Sequence, residues 1–113
     1  MIGDGSGPVA RVVWSIVYTA TAVFDLLLPG DSRSLKDKRG YLRPIIATLR
    51  KLEVAVAEVG IPDLHGRAEI GVAAVAGDAG HARGVIDAAE RLVAARPEVE
   101  LLSVRRRLHG DED

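Results

Sequence analysis

Apolar positions recur along this chain with two spacings, and the switches between them divide it into alternating strands and helices. VYTATAVFDLLL (Val17 to Leu28) is rich in β-branched and aromatic residues and ends at the turn signal Pro29-Gly30-Asp31-Ser32, so it reads as a strand. Ser34-Leu35-Lys36-Asp37 then fits a capping box, and Leu35, Leu42, Ile46 and Leu49 return at helical spacing through about Leu52. EVAVAEV (Glu53 to Val59) predicts a second strand and GIPDLHG a loop; RAEIGVAAVAG (Arg67 to Gly77) predicts the strand that completes a hairpin. Asp78 is a natural N-cap for a helix running to about Ala95, with Val85, Ala89, Leu92 and Val93 inward and Pro97 enforcing the stop. Val99 to Leu108 closes the pattern as a strand. The order β-α-β-β-α-β is that of an α+β, ferredoxin-like split βαβ domain, with two helices on one face of a four-stranded antiparallel sheet.

Two places resist the simple pattern. Pro44 falls inside the first helix, where proline removes a hydrogen bond. On a wheel of about 100° per residue from Leu35, however, it lies at roughly 180°, on the solvent side, where a kink bends the helix around the core. The third strand is apolar on both faces, with Ile70, Val72 and Ala74 on one and Gly71, Ala73 and Val75 on the other. A sheet with one wet face should alternate, so the second face is expected to be covered, most simply by another copy in a homo-oligomer.

With 113 residues and 48% hydrophobic composition, the chain makes one domain with a modest core. Residues 17–108 are that domain; 109–113 read as an acidic tail, and 1–16 as a disordered extension or a misplaced start. Arg11 followed by VVWSIVYTATAVF, with Ala20 and Ala22 spaced for cleavage, has the outline of a secretory signal. Asp25 interrupts the apolar run and cleavage would halve the first strand, so a cytoplasmic protein without a membrane span is the expectation. No cysteine is present, which excludes disulfides and thiolate chemistry and accords with a reducing compartment. Arg outnumbers Lys twelve to three, a bias read as genome composition.

A net charge of -1 means that any polyanion must be met by a local patch. Such a patch lies at the head of the first helix, where Arg33, Lys36, Lys38, Arg39 and Arg43 face only Asp31 and Asp37. Helix N-termini favour acids, so cations there are unexpected unless an anion joins them. The wheel puts Lys36, Arg39, Arg43 and Arg50 between about 40° and 100°, on one flank, and Lys38 at about -60°, on the other. Arg105, Arg106 and Arg107 form a second basic run.

Catalytic chemistry is harder to find. His65, His81 and His109 make no spaced ligand set, so neither metal nor cofactor is expected. Asp63 and His65 could orient and activate a serine, yet none of the serines sits in a nucleophile elbow, and Ser34 is explained as a cap. Glu58 and Glu69 could face each other across the hairpin as paired carboxylates. Gly77-Asp78-Ala79-Gly80 matches a GxxG clamp in letters, but it joins a strand to a helix rather than two helices. The strands offer only Tyr18 and Phe24 as aromatics, too few for a base-stacking sheet. No enzyme is expected.

SRSLKDKR, VAVAEV, DLHGRAEIGVAAV and GDAGHARGVID together resemble the YlxP-like family of small bacterial proteins, a domain of unknown function, over about Val17 to Leu108. The resemblance implies a ferredoxin-like fold and a cytosolic protein whose genes often neighbour those for translation initiation factor two and ribosome-binding factor A. It brings no established activity. Members start just before the first strand, which suggests initiation at Val17; they commonly carry Asp-His after AEV and a Trp in the next turn, where this chain has Gly60, Ile61 and then His65. Two readings follow. One is a non-enzymatic RNA- or ribosome-associated module gripping phosphates with Arg33, Lys36, Lys38, Arg39 and Arg43, joined by Arg105, Arg106 and Arg107. The alternative is a homodimeric small-ligand-binding or regulatory domain.

Overall fold

The computed structural model describes residues 15–110. The proposed N-terminal extension, up to residue 14, and tail residues 111–113 lie outside the described residues. The elements are β1 (Tyr18–Leu27), α1 (Leu35–Arg50), β2 (Ala55–Val59), β3 (Arg67–Ala76), α2 (Ala79–Ala94) and β4 (Glu100–His109). They form the expected ferredoxin-like α+β domain: one antiparallel sheet in the order β2-β3-β1-β4, with both helices on one face. α1 packs over the β2 edge and α2 over β1, β3 and β4.

Alternation along the central strands decides what is buried. Ala20, Ala22, Phe24 and Leu26 of β1 stand beside Ala74, Val72, Ile70 and Ala68 of β3, and all eight are buried beneath the helices. Ala82, Ile86, Ala89 and Val93 close the core from α2, with Val85 and Leu92 packed at its margin. β4 reaches the same phase through a bulge. Asp25 pairs with Ser103 but Leu26 with Leu101, so Leu102 is an extra residue, which lets both Leu101 and Val104 turn inward although they are three apart.

The ends of α1 show why its boundaries fall where they do. Ser34, extended at the N-cap, accepts the Asp37 amide at 3.0 Å, and the Asp37 carboxylate accepts the Arg33 amide at 3.1 Å. The helix runs unbroken through Pro44, which is exposed as its position on the wheel implies. β2 starts two residues later than its composition suggests, because Glu53 has φ 60 and cannot belong to an extended strand. Beyond β2, Gly60 has φ +79, and a Cβ there would stand 2.7 Å from Glu69 Oε1, so only glycine fits this exit from the strand.

The buried stripe of α1 is rotated from the expected one. Lys38, Leu42, Ile45 and Leu49 are buried, whereas Leu35 is 38% exposed and Ile46 only partly covered. Those four centre near -50° on the wheel, which is where Lys38 lies. A stripe centred on Leu35, Leu42, Ile46 and Leu49 therefore leaves Lys38, a core position, on its flank.

Candidate anion-binding surface

Lys38 is a structural residue. It is 2% exposed, and its ammonium donates to the carbonyls of Ile61 (3.3 Å), Pro62 (3.1 Å) and Leu64 (2.8 Å) while pairing with Glu58 Oε2 at 2.8 Å. Three N–H donors thus serve four oxygens, and a lysine is tolerated inside because its charge is fully met. Of the cations expected to receive a phosphate, this one is unavailable. Its role is to anchor the β2–β3 loop under α1, helped by Ser32 Oγ donating to the His65 carbonyl at 2.6 Å and the Leu28 amide donating to Gly66 at 2.9 Å.

Glu58 is the partner that sequence reasoning missed. The hairpin register sets Glu58 against Ile70 and Val59 against Glu69, so the two glutamates occupy opposite faces of the sheet and form no carboxylate pair. Glu58 turns toward α1, and Glu69 meets Arg105 on the open face at 3.3 Å. A single polar residue in phase with Val56 on an otherwise apolar strand was the available signal.

The four remaining cations stand differently. Arg33, Lys36, Arg39 and Arg43 are all exposed, and among the described residues none forms an ion pair. Both neighbouring acids are otherwise engaged. Asp31 accepts the Tyr41 hydroxyl at 2.6 Å, and Asp37 takes the Arg33 amide. The Asp31 carboxylate raises the Tyr41 phenol above its ordinary pKa, chiefly by accepting its proton in a hydrogen bond. With Ser34 occupied by Asp37, the amides of Leu35 and Lys36 have no intrahelical acceptor and point out beside these side chains. What the surface offers chemically is anion binding, by free N–H groups and exposed cations together.

The second basic run does not form one patch. Strand alternation sends Arg105 and Arg107 to the open face and Arg106 to the helix face, where Arg106 pairs with Asp87 at 2.7 Å and Glu90 at 3.4 Å. β4 is the sheet edge opposite β2 and α1, three strand spacings or roughly 14 Å away, so these arginines do not extend the α1 flank.

The other candidates are placed just as plainly. Ser32 meets His65 at its main-chain carbonyl, and the side chains of Asp63 and His65 are exposed, with no hydroxyl partner among the described residues. Asp78 caps α2 by accepting the His81 amide at 3.0 Å, and this bond, followed by one from Gly80, holds its carboxyl below the ordinary range. Among the described residues, no three His, Asp or Glu side chains are grouped to hold a metal, and no helix is long and apolar enough to cross a membrane.

Fold and surface together define a small α+β domain of split βαβ topology that carries a cationic helix flank. The chain belongs to the family described as a protein of unknown function (DUF503), whose profile matches residues 19–106. No curated protein matches it.

Proposed function

We propose that this is a non-enzymatic cytoplasmic protein that contacts RNA, free or within the ribosome, through the sugar-phosphate backbone at the exposed flank of α1. The observation that carries the reading is the set Arg33, Lys36, Arg39 and Arg43, four exposed cations at a helix head with no ionic partner among the described residues. Elsewhere Arg67 pairs with Asp25, Arg96 with Glu98, Arg105 with Glu69 and Arg106 with Asp87 and Glu90. The other cations without an ion pair among the described residues, Arg50, Lys51, Arg83, Arg91 and Arg107, do not gather at a helix head; the clustering of four beside free helix N–H groups is what distinguishes the α1 flank. Cations near a helix N-terminus each cost a few tenths of a kcal/mol, roughly, and a bound anion reverses that sign. The sheet carries few aromatics, so recognition is by charge and shape rather than by base stacking. The resemblance to YlxP-like proteins, whose genes often neighbour those of translation factors, supports the same reading.

The test is fluorescence anisotropy of the full chain with a labelled single-stranded RNA of about 20 nucleotides, titrated across salt. Four phosphate contacts give a slope of log K against log salt near -3, so affinity falls roughly 60-fold between about 50 and 200 mM salt. Arg39→Glu with Arg43→Glu should remove most of the binding and flatten the slope, with far-UV circular dichroism unchanged. Failure to bind at low salt, or binding indifferent to these substitutions, overturns the proposal.

A further inference from the structure

The sheet face away from the helices carries side chains that no other part of the described chain covers. Its centre is built from Ala55, Ala57 and Val59 of β2, Gly71 and Ala73 of β3, and Val23 of β1. These residues, with Thr21 of β1, line a shallow, mostly apolar depression of about 310 Å³. Val75 stands beside it, 69% exposed, the most exposed large hydrophobic among the described residues. Charges lie only around this centre. Arg67 pairs with Asp25 and Arg105 with Glu69, each within the same chain, and Arg107 occupies the β4 edge. An apolar middle with a polar, internally neutralised border is the anatomy of a protein interface.

We infer that a second copy of this chain covers the open face, sheet on sheet, in a twofold-symmetric dimer. Three observations favour a copy over an unrelated partner. The border pairs cancel, and Arg107 toward one end of β4 is offset by Glu100 at the other, so two identical faces meet without a net field of one sign, and the β4 arginines remain at the rim where water screens them. The small side chains of Ala55, Ala57, Gly71 and Ala73 make the face flat, and a flat face is complementary to itself while offering the protruding Val75 a depression to enter. The area also suffices. Three strands of ten residues and one of five outline on the order of 550 Å² per copy, so two copies together cover roughly 1,100 Å², above the ~1,000 Å² that a specific interface needs. Both helices lie on the far side, so this dimer leaves the α1 flank of each copy open.

Sedimentation equilibrium of the full chain tests the inference, supported by far-UV circular dichroism. The expected result is twice the 12.0 kDa chain mass, with an association that higher salt does not weaken. Val75→Glu, at an exposed position, should raise the dissociation constant at least about a hundredfold without loss of fold, because it places an unpaired charge in the interface. Ala57→Glu should act alike, and Arg39→Glu should have no effect. A monomer at about 100 μM, or a dimer that Val75→Glu and Ala57→Glu leave intact, overturns the inference; the second outcome would assign the contact to another surface.

Discussion

Replacing Lys38 by Met keeps most of the side chain's apolar stem and deletes its ammonium, leaving the carbonyls of Ile61, Pro62 and Leu64 and the Glu58 carboxylate without their shared donor. Breaking a buried ion pair from one side costs about 3–5 kcal/mol, and hydrogen bonds to a charged group are each worth about 1.5–3 kcal/mol. The lower end applies here. Glu58 is 28% exposed, and the loop residues 61–65 are exposed, so water can reach the orphaned oxygens once the loop lifts. A loss of about 3 kcal/mol results, a large share of the roughly 5–15 kcal/mol that holds a domain together. Urea unfolding followed by circular dichroism should therefore show the midpoint falling by roughly 2–3 M. Exposed Lys36→Met is the matched control and should stay within about 0.5 kcal/mol of the parent. Glu58→Gln alone should cost only about 1 kcal/mol, and the double variant should be less destabilised than the sum of the two, because the carboxylate no longer lacks its cation. If Lys38→Met unfolds within about 0.5 kcal/mol of the parent, the ammonium is not what fastens the loop.

Other expectations rest on separate features. The RNA and dimer tests above each stand alone, since their substitutions lie on opposite faces of the domain. The Asp78 carboxyl is held below its ordinary range in the folded chain, so its contribution is present above the unfolded pKa and fades as pH falls through the folded one. Asp78→Asn keeps an acceptor for the His81 amide but cannot titrate there, so the stability gap between parent and variant should shrink in urea series run from about pH 7 toward pH 2. A gap independent of pH would show that charge adds nothing to the cap. Gly40 and Gly84 lie inside helices with nothing within 4 Å of where a Cβ would stand, so alanine at each should raise stability by up to about 1 kcal/mol, read as a higher Tm. No gain at Gly84 would argue that its surroundings constrain that turn beyond what the spacing indicates.

Sequence by itself determined the element order, and with it the fold class, because that information is local. The period-2 run of β1, the Ser34 and Asp78 caps and the Pro29-Gly30 turn each act within a few residues, and each operates in the structure as its chemistry dictates. The opposite faces of β3 were legible for the same reason. Tertiary structure decided what depends on who stands opposite. Lys38 looks like any surface lysine until β2 sets Glu58 beneath it and the loop turns three carbonyls toward it, and no local rule assigns a charge to the buried stripe. Glu58 and Glu69 became strangers through hairpin register, and Arg105, Arg106 and Arg107 were divided by the pleat while β4 took the edge remote from α1. Spacing along the chain places a side chain on its own element; only packing supplies the counter-charge or the water on the other side, and that decides whether a cation is a fastener or a free hand.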